Sequence, residues 1–177
     1  MKIFNRHDRV IPVDKDTLGS VLNTLSSPED ALWPRENWPP MVLDQGLRVG
    51  AAGGHSLVKY RVAEYVPGHR VVFQFDPQGL MDGVDGRHFF EVVPRRADVI
   101  IRHDLEGNCN LGMWLRWNFL VRPLHDTLIE DAFDKVESRF RGTVVKRSHW
   151  GPWVRFLRWM VRRRRAEAAA REQGTSK

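Results

Sequence analysis

The chain has 177 residues with 28 Lys and Arg against 22 Asp and Glu, a net charge of +6, but 10 of those basic residues and only 2 of the acidic ones lie between 144 and 177. The remaining body holds 18 basic and 20 acidic residues, a net −2, which excludes a domain that grips nucleic acid through a basic face of its own. Hydrophobic content of 42% with 10% aromatics is that of a folded globule, while no apolar run of about 18 residues spans a bilayer and the N-terminus lacks the unbroken apolar stretch of a signal peptide.

Residues 2 to 13 read as a strand, with Ile3, Val10, Ile11 and Val13 set among charges. Asp14 then offers a helix cap, and Leu18, Val21, Leu22 and Leu25 recur at helical spacing. Ser27 and Pro28 predict the start of a second short helix, which the three prolines of Trp33–Pro40 stop in a loop packed by its two tryptophans. From Leu47 to Leu105 the apolar period changes to two, so a meander of antiparallel strands is expected. Pro67-Gly68 and Pro94-Arg95-Arg96 supply its turns, and the Gly- and Asp-rich stretch 76–85 reads as a mobile loop. Leu124, Leu128, Ile129, Ala132, Phe133, Val136 and Phe140 then mark a long apolar-faced helix ending at Arg141-Gly142. Pro123 either starts that helix or kinks a longer one beginning near Trp117.

This order predicts an α+β, helix-grip fold. A curved antiparallel sheet of six or seven strands wraps one long C-terminal helix, with two short helices after the first strand. A bent sheet of long strands cannot fill its own interior, and the space left over is a ligand cavity. The expected domains are 1–142 for this body and 143–177 for a basic, aromatic appendage.

Several segments carry a family resemblance: Gly53 to Phe75, Arg87 to Val92, Ile101 to Glu106 and Arg122 to Asp131. Together they resemble the SRPBCC or START-like proteins, which include polyketide cyclase/dehydrases, lipid-transfer proteins and plant binders of hydrophobic ligands. The resemblance covers roughly residues 2–141 and implies an apolar cavity between sheet and long helix. It specifies the fold and leaves the reaction open, because this scaffold hosts binders and enzymes. It is strongest to bacterial members without an assigned activity.

Four histidines lie within the resembling segments: His55, His88, His103 and His125. A symmetric turn over Pro94–Ala97 sets Val92 against Val99, Phe90 against Ile101 and His88 against His103, all on the cavity face. His125, four residues before Ile129, shares the helix's apolar stripe. Around the Pro67-Gly68 turn Tyr60 pairs with Phe75 and Val62 with Phe73, which either aims the Tyr60 hydroxyl into the cavity or packs the ring in the core with its hydroxyl bonded to backbone. Cavity-lining positions are then Val58, Val62, Phe73, Phe75, Phe90, Ile101, Trp117, Ile129 and Phe133. The histidines suit structural hydrogen bonding inside the core or to a ligand carbonyl or hydroxyl, acid/base work, or, with a third ligand, a metal. Their spacing matches no compact metal motif, so no metal and no cofactor are assigned. The cyclases that the chain resembles use cavity Tyr, Arg and His, which implies Tyr60, His88, His103 and His125 as catalytic candidates. Arg61 and Arg102, however, fall on the opposite face. Glu130, Asp131, Asp134 and Glu137 read as the long helix's solvated side. Cys109, the only cysteine, has no disulfide partner and no adjacent base, as suits the cytoplasm.

In the appendage, Gly151-Pro152 opens a helix that gathers Trp150, Trp153, Val154, Phe156, Leu157 and Met160 on one side and Arg155, Arg158, Arg162 and Arg165 on the adjoining one. This composition fits a membrane interface, with Trp153, Arg155, Arg158 and Arg162 as the contacting residues and peripheral attachment at the inner membrane face. Packing on the chain's own domain or on a second copy in a homodimer are the alternatives, and nucleic acid is disfavoured by the near-neutral body. The functional expectation is binding of a hydrophobic or aromatic small molecule, lipid- or polyketide-like. The alternative is a cyclase or dehydratase that uses the cavity Tyr and His as acid and base.

Overall fold

The structure, a computed structural model, describes residues 1–96, 98–160 and 163. In β1 (Lys2–Ile11) alternation turns Ile3, Asn5, His7, Arg9 and Ile11 to one face. The chain then enters α1 (Lys15–Asn23), where Asp14 Oδ1 accepts from the backbone N–H groups of Asp16 and Thr17. The second short helix expected at Pro28 is absent, and residues 24–29 form turns. Asp30 explains the difference: one carboxylate oxygen accepts from Leu32 and Trp33 N–H at 2.9 and 2.7 Å and the other from Ser26 N–H at 2.9 Å. These bonds satisfy the backbone without a helix.

The strands β2 (Val42–Leu43), β3 (Ala52–His55), β4 (Val58–Val66), β5 (Arg70–Gly79), β6 (Val84–Pro94) and β7 (Val99–Cys109) join β1 in a seven-stranded antiparallel sheet. Its order is β1-β7-β6-β5-β4-β3-β2. The expected mobile loop shrinks to residues 80–83, because backbone pairing of Gly79 with Val58 and of Val84 with Cys109 holds the flanking residues whatever their side chains.

Two registers position the site. In the β4–β5 hairpin Tyr60 faces Phe75 and Val62 faces Phe73, as expected, but by two compensating departures. Val66 pairs with Arg70 across a three-residue turn, and Ala63 bulges out of β4 between Val62 and Glu64, which restores the pairing. In the β6–β7 hairpin the turn closes through Arg95 N–H to Asp98 O at 2.9 Å. Phe90 therefore faces His103, and His88 faces Leu105, two residues from the expected register. An even shift leaves every side chain on its face, so His88 and His103 become diagonal neighbours.

Asn110 caps α2 (Leu111–Arg116) through its Oδ1 and Met113 N–H at 2.8 Å. A π-helical turn (Trp117–Val121) leads without a break into α3 (Arg122–Arg141). Pro123 therefore bends a longer helix rather than starting one. It has no N–H to offer Phe119 O four residues back, and the wider turn absorbs the defect. Gly142, at φ 73°, ends α3 with its N–H on Ser138 O. The apolar stripe of α3, including Leu128, Ile129, Ala132, Phe133 and Val136, packs in one core with the inner face of the sheet. Residues 152–160 form a further helix, α4, that buries Val154 and Leu157. No helix among the described residues is long and apolar enough to cross a membrane.

Candidate functional site

Between the sheet, α3 and the Trp33–Pro39 loop lies a cavity of about 340 Å³. Its apolar wall comes from Val58, Phe75, Leu80, Met81 and Leu105 on the sheet side and Val121, Leu124, Leu128 and Ile129 on the helix side. Exposed Arg35, Glu36 and Asn37 edge its mouth. The polar lining is dominated by His55, His88, His103 and His125, all four of the histidines singled out from the sequence.

These rings form a chain. His88 Nδ1 lies 3.2 Å from His103 Nε2, and the His103 ring centroid lies 5.0 Å from that of His125. His125 in turn lies 6.0 Å from His7 of β1, which sits directly opposite His103 across the strand pair. Burial, then the neighbouring imidazoles, holds His88 and His103 well below the ordinary histidine value, so both are neutral. His125 is lowered by burial despite the opposing pull of Asp126. One neutral imidazole donates to the other across the His88–His103 contact. That leaves His103 Nδ1, buried and without a hydrogen-bond partner, at the cavity wall.

Of its two expected placements Tyr60 takes core packing, with a histidine rather than the backbone as its partner. Its ring is fully buried, edge-on to His88, and its hydroxyl shares a 3.2 Å hydrogen bond with His55 Nδ1 rather than lining the cavity. Burial raises the phenol well above its usual value, so it stays protonated. Of the expected lining residues, Val58, Phe75 and Ile129 line the cavity. Val62, Phe73, Phe90, Ile101, Trp117 and Phe133 are buried core packed behind it.

The acids of α3 are not a solvated face. Arg9 of β1 donates to Asp134 Oδ1 at 3.0 Å, to Glu130 Oε2 at 2.7 Å and to Glu137, which is 2% exposed. Asp131 accepts from the indoles of Trp38 and Trp150 at 2.8 and 2.9 Å, while Lys135 donates to Trp33 O at 2.8 Å. They clamp β1 and the tryptophan loop onto the helix. The signal was the inward parity of Asn5, His7 and Arg9, since polar groups on a core-facing edge require partners.

His7 is the site residue that sequence reasoning missed. Its Nδ1 lies 2.6 Å from Glu130 Oε1 and its Nε2 3.2 Å from Asp126 Oδ1 and 3.0 Å from Asn5 Oδ1. Burial opposes the charge, but the hydrogen bonds to Asp126 and Glu130 outweigh it and raise the imidazole to about 9. Donor atoms of His7, His125 and Asp126 fall within 4.8 Å of one another, the only such metal-sized group among the described residues. Both His7 nitrogens already face oxygen acceptors, so the arrangement is that of an imidazolium held by carboxylates.

The appendage contributes the remaining wall. Arg158 is 8% exposed and lines the cavity, its guanidinium 4.1 Å from the Trp38 ring and 3.9 Å from the Trp150 ring, with Nη2 donating to Asn37 O at 2.5 Å. The expectation of Arg158 at a membrane is thereby corrected: stacking between two indoles withdraws it from the surface. Trp153 and Arg155 are exposed, and Arg162 lies outside the described residues. Trp153 Nε1 donates at 2.8 Å to Phe119 O, the carbonyl that Pro123 deprives of its helical donor.

No family model matches the chain, and no curated protein matches it. Solved structures do. A Thermobifida fusca protein solved by NMR aligns at 14% identity over 82% of this chain and 97% of its own, with a TM-score of 0.61. Norcoclaurine synthase from Thalictrum flavum, solved with dopamine and hydroxybenzaldehyde, aligns at 15% identity over 82% of this chain and 90% of its own, with a TM-score of 0.59. CalU16 from Micromonospora echinospora aligns at 11% identity over 91% and 92%, with a TM-score of 0.53. At such identities the likeness is one of fold, and the fold of this chain is the helix-grip fold, a curved antiparallel sheet closed over a cavity by one long helix.

Proposed function

We propose that this chain is a START-like binding protein whose cavity holds a hydrophobic or aromatic small molecule, lipid- or polyketide-like, bearing a carbonyl or hydroxyl group. The observation that carries the reading is the pair of buried, unpartnered nitrogens, His103 Nδ1 and His125 Nδ1, on histidines that line a mostly apolar cavity. A buried polar atom left alone costs about 1–3 kcal/mol, and a ligand oxygen bonded to it recovers that cost. The volume of about 340 Å³ is at the small end of the range for drug-sized ligands. The free thiol Cys109, buried at the end of β7, supports a cytoplasmic setting.

Native mass spectrometry of the purified full chain tests the occupant directly, with fluorescence titration of an aryl carbinol, whose hydroxyl can donate or accept, and its deoxygenated analogue as the quantitative arm. The carbinol is expected to bind about tenfold more tightly than the hydrocarbon, as one recovered hydrogen bond implies, and His103→Phe to erase that difference. Equal affinities in the parent protein would refute the assignment.

A second reading, a cyclase or dehydratase, is favoured by one feature. The imidazole chain from His88 through His103 and His125 ends at His7, Asp126 and Glu130, whose carboxylates are about a third exposed. A water or substrate oxygen bridging the unpartnered Nδ1 atoms of His103 and His125 would be needed to complete a proton path along these rings from a cavity carbonyl. Tyr60, bonded to His55 behind the wall, then acts by positioning rather than by touching substrate. Turnover of a carbonyl substrate that survives His103→Phe and His125→Phe would exclude this reading.

A further inference from the structure

The outer side of α4 carries three aromatic side chains that are about half exposed among the described residues. Trp153, Phe156 and Trp159 are 50%, 44% and 54% exposed and stack in a ladder, with successive ring centroids 5.5 and 6.0 Å apart. The ladder does not stand alone. The bond from the Trp153 indole to Phe119 O joins it to a second stripe one helical turn apart, Leu111, Leu115 and Phe119, exposed by 61%, 44% and 65%. Single exposed apolar residues are ordinary, whereas two exposed apolar stripes tied together by a hydrogen bond mark an interaction face. We propose that this face docks on an anionic membrane surface.

Charge selects the occupant. Arg116 of α2, Arg155 of α4 and Arg163 beyond it are exposed, Arg163 with its guanidinium 5.6 Å from the Trp159 ring. The segment 144–177 as a whole has 10 basic and 2 acidic residues. Two copies meeting through this face would bring those arginines together at a cost, and a basic or neutral partner gains nothing from them. A surface of phosphate headgroups over an apolar interior satisfies both the rings and the fringe. Indoles and guanidinium groups settle at that boundary. The same helix turns Arg158 inward onto the cavity wall, so the docked face adjoins the cavity, but the inference stands independently of what the cavity holds.

The test is co-sedimentation of the full chain with vesicles of phosphatidylcholine, with and without phosphatidylglycerol, at low and high salt. Binding is expected to the anionic vesicles and to fall about tenfold or more when phosphatidylglycerol is omitted or salt is raised. Phe156→Ser/Trp159→Ser is expected to weaken partitioning about tenfold or more, since both rings leave water on docking. Neither ring is buried, so circular dichroism should be unchanged. Arg155→Glu provides a second variant, expected to weaken binding at low salt. Absence of binding to anionic vesicles, or equal binding of the aromatic variant and its parent, overturns the proposal. A dimer in sedimentation equilibrium that the aromatic variant dissolves overturns it in favour of a second copy.

Discussion

Replacing His7 by Gln probes the junction of β1 with α3. In the folded protein the imidazole titrates near 9, against 6.5 for the free group, because Asp126 and Glu130 hold the proton more strongly than burial expels it. At about 1.36 kcal/mol per pH unit the shift sets a ceiling of about 3 kcal/mol. The two carboxylates are 37% and 36% exposed, so solvent screening reduces the expected contribution to about 1.5 kcal/mol. The folded value lies above the unfolded one. The stabilisation is therefore fully present below about 6.5 and disappears as the pH rises through 9. Urea denaturation of parent and His7→Gln should differ by about 1.5 kcal/mol at pH 6 and converge towards pH 10. Other titrating groups are common to both proteins and cancel in the difference. A stability difference that stays constant across this range would refute the imidazolium assignment.

On the acid side the sign is reversed: His88, His103 and His125 are lowered by burial, so their neutral forms support the fold above about 6.5 and stability falls as the pH drops below it. His103→Phe should flatten that limb of a thermal-melting profile. Arg158→Ala removes two guanidinium–indole contacts and the bond to Asn37 O, about 3 kcal/mol of anchoring for α4, and should speed tryptic cleavage after Arg155 by about tenfold or more while the core resists. Gly19→Ala, usually stabilising inside a helix, should cost about 2 kcal/mol or more in denaturant unfolding. Its new methyl would sit 2.4 Å from Gly68 O where α1 meets the β4–β5 turn.

Alternation and helical spacing are local properties, and they sufficed for the strand meander, the long helix from Leu124 to Phe140 and the shared face of His88 and His103. That face survived an error of two residues in register because side-chain direction depends only on parity. The Tyr60–Phe75 pairing was likewise reached, although the bulge at Ala63 that produces it leaves no mark in the composition.

What lay beyond the sequence was every partnership between distant segments. The stretch from Pro28 looked helical until the backbone groups that the Asp30 carboxylate satisfies were placed. Glu130, Asp134 and Glu137 looked solvated until Arg9, more than 120 positions away, was brought against them. Arg158 looked like a membrane contact until two indoles closed on it, and the covering helix turned its aromatic ladder outward. Periodicity assigns a residue to a face. Only the folded chain decides what that face meets, because burial, pairing and pKa depend on groups that sequence distance does not relate.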